Sequence, residues 1–168
     1  MEIQEYKDDY PNEFIRGIPN ASENYITKEG YPTKQAFVFE EYDSSLRNGD
    51  GWCEMSVNWL DDAGAIDVLM QQVNIRKGGY QFNGGCCVLD RVVFDAAFRT
   101  YVNAGNLSYE RKPVEATDEN AENKYHGNIL LKNTSSKMIK TNIECTLATL
   151  AAGNFISRAS YEAKETEK

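Results

Sequence analysis

The sequence is poor in the residues that most often announce chemistry. Its 168 residues hold one histidine, four cysteines, two tryptophans and four prolines. A single histidine excludes every site that needs two, zinc centres of the HExxH kind included. No stretch approaches the ~18 consecutive apolar residues of a membrane-spanning helix. Basic residues are outnumbered 18 to 26, for a net charge of −8. A protein that grips nucleic acid by neutralising phosphates is therefore not expected. The first 13 residues carry five acids, one lysine and no apolar core, which does not read as a secretory leader. A cytoplasmic chain with reduced thiols is expected. Cys86 and Cys87 are adjacent, and two buried thiols on a glycine-flanked strand are expected in preference to a strained vicinal disulfide.

What is present is enough for one core. The chain is 41% hydrophobic and 11% aromatic, and its length suits a single domain. The clearest periodicity is in Trp52–Leu60, where Cys53, Met55, Val57 and Trp59 alternate with Trp52, Glu54, Ser56 and Asn58. Period two marks a strand with one buried face. Phe14–Ile18, Gln35–Glu40, Cys86–Leu89 and Tyr125–Lys132 also read as strands, and the Gln35–Glu40 run is expected to pair with Trp52–Leu60 as an antiparallel hairpin. Helical spacing predicts a helix from Asp61 or Asp62 to about Val73. A second runs over 91–103 behind an Asp90 cap, and a third from Ser135 or Ser136 to Ala152. Residues 113–124 are polar, acidic and aperiodic, and read as a mobile loop. The expected fold is α+β, a mostly antiparallel sheet with about three helices packed on one face. The expected layout is a flexible acidic N-terminus at 1–12, one domain at 13–157 and a disordered charged tail at 158–168.

Candidate motifs break at defined residues. Gly79–Gly84 matches the first half of a phosphate-binding GxxxxGK loop, but Gly85 stands where lysine is needed. Asn48–Gly51 resembles part of a calcium loop, but the frame puts Leu46 and Val57 at the acidic ligand positions. No metal or cofactor is expected on these grounds. His126–Gly127 is similar to the His-Gly step of ADP-ribosyltransferases, yet too little chain follows to complete that site. The order Arg16-Gly17-Ile18, Pro32-Thr33 with Ala36-Phe37, Ser56-Val57 and His126-Gly127-Asn128-Ile129 resembles a loose group of small bacterial proteins with no assigned activity. The resemblance implies that Arg16, Ser56 and His126 converge.

Charge is unevenly placed. Residues 40–67 hold Glu40, Glu41, Asp43, Asp50, Glu54, Asp61, Asp62 and Asp67 against Arg47 alone. The first expectation is thus a non-enzymatic, protein-binding accessory subunit of a larger bacterial assembly, of mobile-element or antiviral-defence origin. It would dock a basic protein partner through Glu40, Glu41, Asp43, Asp50, Glu54, Asp61 and Asp62. The alternatives are a small metal-independent hydrolase or nuclease using His126, Arg16 and Ser56, and an acidic nucleic-acid mimic acting as an inhibitor. Neither direct nucleic-acid binding nor a membrane is expected.

Overall fold

The structure, a computed structural model, describes residues 10–41, 51–74, 76, 78–118, 121–132 and 135–166. In chain order the elements are β1 (Glu13–Ile18), a 3-10 helix (Lys34–Phe37), β2 (Glu40–Glu41), β3 (Trp52–Trp59), α1 (Gly64–Met70), β4 (Gly85–Asp90), α2 (Arg91–Ala97), α3 (Arg99–Asn103), β5 (Leu107–Arg111), β6 (His126–Lys132), α4 (Lys137–Ala151), β7 (Phe155–Ser157) and α5 (Arg158–Thr166). The strands form one antiparallel sheet in the order β5-β6-β3-β1-β4-β7, with the short β2 paired to β3. The fold is α+β, as the patterning indicated. No helix among the described residues is long and apolar enough to cross a membrane.

Alternation decides what each face does. Cys53, Met55, Val57 and Trp59 of β3 join Phe14, Leu89, Leu107, Tyr109, Ile129 and Leu131 on one face. Phe94 of α2, Val102 of α3 and Ile143, Leu147 and Ala151 of α4 close that larger core. On the second face Ile15 and Cys86 meet Ala65, Leu69 and Met70 of α1 and Tyr161 of α5. Three α-helices therefore build the larger layer, and two more cover part of the opposite face. Asp90 accepts from Val93 N–H and Ser136 from Ile139 N–H, so two of the three expected side-chain caps are in place. α1 starts behind Ala63 without a side-chain cap, not at Asp61 or Asp62, and ends at Met70 rather than Val73.

Several expectations need correction. Gln35–Glu40 is not a strand: Lys34–Phe37 is a 3-10 helix that buries Ala36 and Phe37, and only Glu40–Glu41 pair with β3. An apolar run of this length fits a buried turn as well as a strand. The 91–103 helix is broken at Phe98. The charged tail is not disordered through 158–166. Arg158 donates through Nη2 to the Met70 and Phe82 carbonyls, and the Tyr161 hydroxyl donates to Asp67. Tyr10–Asn12 are pinned as well. Arg91 donates to the carbonyls of Tyr10 and Pro11 and its N–H to that of Asn12. Residues 113–124 are tied at the base by paired bonds between Val114 and Asn123. Cys86 and Cys87 are free, buried thiols, as expected of the adjacent pair, and Cys53 is buried as well.

The larger core turns on Trp59, which is fully buried. Its ring lies 4.7 Å from Tyr10, 5.6 Å from Tyr109 and 6.0 Å from Phe14. Its Nε1–H donates to the Glu110 carbonyl at 3.0 Å, passing over β6 to reach β5. A Cβ on Gly127 would lie 2.2 Å from both atoms of that bond. Gly127→Ala should therefore cost about 3 kcal/mol through forced displacement of the indole. Gly153→Ala, whose Cβ meets nothing within 4 Å, should leave stability nearly unchanged. Urea unfolding of the two variants measures the difference.

Candidate functional site

β1 and β3 pair only at Phe14↔Trp59 and Ile15↔Asn58. Beyond that point they separate, and β3 next pairs on this side with β2, at Glu40↔Glu54. Ser56 falls between the two pairings. Its carbonyl would be an orphan, and an unpaired backbone group is expensive. Arg16 supplies the missing rung. Its Nη1 donates to Ser56 O at 2.7 Å and its Nε to Ala36 O at 2.9 Å. Burial lowers the guanidinium pKa to about 10, with Glu40, Cys87 and Tyr25 opposing that shift, so Arg16 stays charged at neutral pH.

A cavity of about 200 Å³ opens where the strands part, on the second face. Ser56, Asn58 and His126 form its polar floor, and Leu69, Val73, Phe82 and Val114 supply apolar wall. Phe82 reaches the site because Gly17 has no side chain: a Cβ there would lie 2.4 Å from the ring. The floor is rigidly bonded. Asn58 donates to Ala65 O at 3.1 Å and accepts from Asn123 at 2.9 Å. Asn123 in turn accepts from Tyr125 N–H. Ser56 Oγ–H donates to Asn128 at 3.3 Å, and Asn128 donates to Glu110 at 2.7 Å. His126 Nδ1 lies 2.7 Å from the Lys112 carbonyl.

The three residues grouped by resemblance do not converge. Ser56 and His126 share the cavity. Arg16 follows the alternation of Phe14 and Ile18 and pairs with Cys87, which puts it on the other face. It meets Ser56 only through the backbone. The Ser56 proton is directed to an amide oxygen, which is no base, so this serine is not activated as a nucleophile. Burial drives the Cys86 thiol up to about 12, despite Arg158, and the Cys87 thiol higher still. Both are inert core thiols.

The acids are dispersed rather than gathered. Asp43 and Asp50 lie outside the described residues, as does the side chain of Glu41. Glu40 and Glu54 face each other across β2 and β3, a like-charge pairing that carries a cost. Asp61 and Asp62 lie at the other end of β3, roughly 20 Å away at about 3.3 Å per residue. There Asp61 forms a bidentate pair with Arg111, both bonds at 2.8 Å. Asp62 accepts from the Tyr125 hydroxyl at 2.7 Å and from Gly64 N–H at 2.8 Å. These bonds, the Tyr125 one foremost, hold the Asp62 carboxyl below its ordinary 3.8. Among the described residues no three His, Cys, Asp or Glu side chains are grouped to hold a metal ion.

Sequence reasoning did not find the asparagine floor or the Leu69–Val73–Phe82 wall. Asn58 had a weak signal, as a neutral polar residue between Val57 and Trp59 on the cleanest strand. Asn123 had none, because its acidic surroundings read as loop.

Two outcomes follow from this geometry. Arg16→Met should destabilise the protein by about 2 kcal/mol, since two carbonyls lose their donor. Arg16→Lys should recover little, because one ammonium lacks the planar fork that reaches both. Chemical denaturation checks both variants. Tyr125→Phe should flatten the acid limb of stability. A carboxyl held below 3.8 stabilises the fold above that pH and loses its contribution as pH falls through the shifted value. The gap between wild type and variant should therefore narrow on going from pH 6 to pH 3.

No protein-family model matches the chain, and the searches of curated proteins and of solved structures returned no match either.

Proposed function

We propose that this protein acts by non-covalent binding, as an accessory partner of a larger assembly, and that it receives an anchoring group of a partner protein in the cleft between β1 and β3. The observation that carries the reading is the cavity itself. It holds about 200 Å³, below the ~300–1,000 Å³ of most small-molecule pockets. That size suits one side chain of a partner better than a free metabolite. Its lining combines apolar wall with a few fixed neutral polar atoms, the composition of an anchor pocket at a protein interface. The net charge of −8 favours approach by a neutral or basic partner.

The competing readings have less support. A hydrolase or nuclease needs its anion-holding arginine beside the histidine, and Arg16 is bonded on the opposite face. A nucleic-acid mimic needs acids in a line with their charges presented outward. Asp61 and Asp62 are instead bonded internally, and sit far from Glu40 and Glu54.

The test is site-specific photocrosslinking of the full chain in cells of its source. A benzoylphenylalanine replaces Gln81, at the exposed rim of the cavity, or Met138, which is 71% exposed on α4. A protein adduct is expected from position 81 and none from 138. The adduct at 81 should be lost when Val73, 56% exposed at the same rim, is changed to Arg. Absence of an adduct at 81, or one that survives Val73→Arg, overturns the proposal.

A further inference from the structure

Resting on that binding role, we infer that the occupant of the cleft is an aromatic group tipped with a hydrogen-bond donor, a phenol as presented by a partner's tyrosine. The inference starts from what the floor has left to offer. Lys112 O is a carbonyl, which only accepts, so His126 Nδ1 at 2.7 Å must carry the proton. With Nδ1 as the donor, the uncharged ring keeps a single tautomer, whose other nitrogen, Nε2, is a lone-pair acceptor. Ser56 has given its proton to Asn128, so its oxygen likewise offers lone pairs. Asn58 and Asn123 are engaged with each other and only 1% and 3% exposed, so their remaining amide hydrogens are out of reach. The reachable side-chain atoms of the floor are acceptors, while Gln72 and Gln81 on the walls carry amides that both donate and accept. An occupant seated on the floor is therefore complementary when it donates at that end.

The walls specify the rest. Leu69, Val73, Phe82 and Val114 present apolar surface suited to a flat body. A volume of about 200 Å³ has room for one substituted ring. An anionic tip would face lone pairs at its end and the field of a chain carrying −8. A phenol satisfies all three conditions: apolar ring, neutral charge, one O–H.

The experiment titrates the full chain with four ring probes and follows backbone amide shifts by NMR. The probes are p-cresol, 4-methylanisole, toluene and 4-methylbenzoate. p-Cresol should saturate with shifts centred on Ser56, Asn58, Leu69 and Phe82. It should bind about fivefold tighter than 4-methylanisole, the factor one ordinary net hydrogen bond supplies. 4-Methylbenzoate should bind more weakly than p-cresol. His126→Phe, which keeps a ring but removes the acceptor, should erase the preference for p-cresol over 4-methylanisole and leave toluene binding in place. If that variant does not fold, the ranking of probes on the wild-type chain decides alone. Equal or tighter binding of 4-methylanisole or 4-methylbenzoate overturns the inference, as do p-cresol shifts centred elsewhere. A failed ranking with a positive crosslink at position 81 removes the phenol and leaves the binding role. A failed crosslink with the ranking intact removes the protein partner and leaves a small-phenol site.

Discussion

The Trp59 indole reaches the Glu110 carbonyl only because Gly127 leaves the space between them empty. This one bond crosses β6 and ties β3 to the edge strand β5. Tyr10, Phe14 and Tyr109 pack around the same ring, so the N-terminal segment and β1 are held by it too. Arg91 reinforces the arrangement from outside. It binds the Tyr10 and Pro11 carbonyls and pairs with Asp95, which accepts from the Tyr109 hydroxyl. With β3, β5 and β6 locked on the core face, their opposite face is fixed as well. The Ser56–Asn128–Glu110 chain and the position of His126 are consequences of that rigidity. A binding floor built on strands is more exact than one built on loops, because strand registers do not drift by fractions of a residue.

The cleft exists because a ladder is left incomplete. β1 stays paired with β4 along its whole length but follows β3 for only two residue pairs. An open gap in a sheet is normally unfavourable, since backbone groups on both sides lose their partners. Arg16 closes the core side of the gap, taking Ser56 O and Ala36 O together. The second face can then stay open without an exposed seam. Arg16 is thus a structural residue with a functional consequence. Phe82, fitted over Gly17, bounds the cleft from the side of β1. α5 holds that boundary through Arg158, which binds the carbonyls of Phe82 and Met70 and stacks 4.1 Å from the Tyr80 ring.

Period-two patterning in Trp52–Leu60 was enough to place β3 and its faces correctly, because alternation is a local property. The caps at Asp90 and Ser136 were legible for the same reason. The 3-10 helix at Lys34–Phe37 was not. Its burial comes from packing against α4 and β1, and an apolar run carries no record of those distant partners. β5 was missed because five residues, LSYER, hold too little periodicity. The charged sequence of α5 reads as disordered, while Arg158 and Tyr161 anchor it through contacts 76 to 94 residues away in sequence, to Asp67, Met70 and Phe82. The candidate site was half legible. Ser56 and His126 are on its floor, as grouped, but Arg16 lies across the sheet. Alternation with Phe14 and Ile18 already puts Arg16 on the core face of β1; which residues of β3 lie opposite depends on register, and register is a long-range property.

The acidity of residues 40–67 has a different meaning once the bonds are known. Asp61 is paired with Arg111, Asp62 with Tyr125 and Asp67 with Tyr161. Each joins segments more than 45 residues apart, so these charges act first as tethers between α1 or its approach and β5, β6 and α5. A carboxylate that accepts a fixed hydrogen bond is less available as a docking contact, but its charge still contributes to the field around the protein. Screening confines that field to about 8–10 Å at ordinary salt, a distance that includes the mouth of a surface cleft. Among the described residues the cavity lining holds no carboxylate, lysine or arginine, although the chain as a whole carries −8. Under the proposed binding role, such an arrangement would select by exclusion as much as by contact: anions would be repelled on approach, and apolar groups without a donor would leave the Ser56 oxygen unpaired.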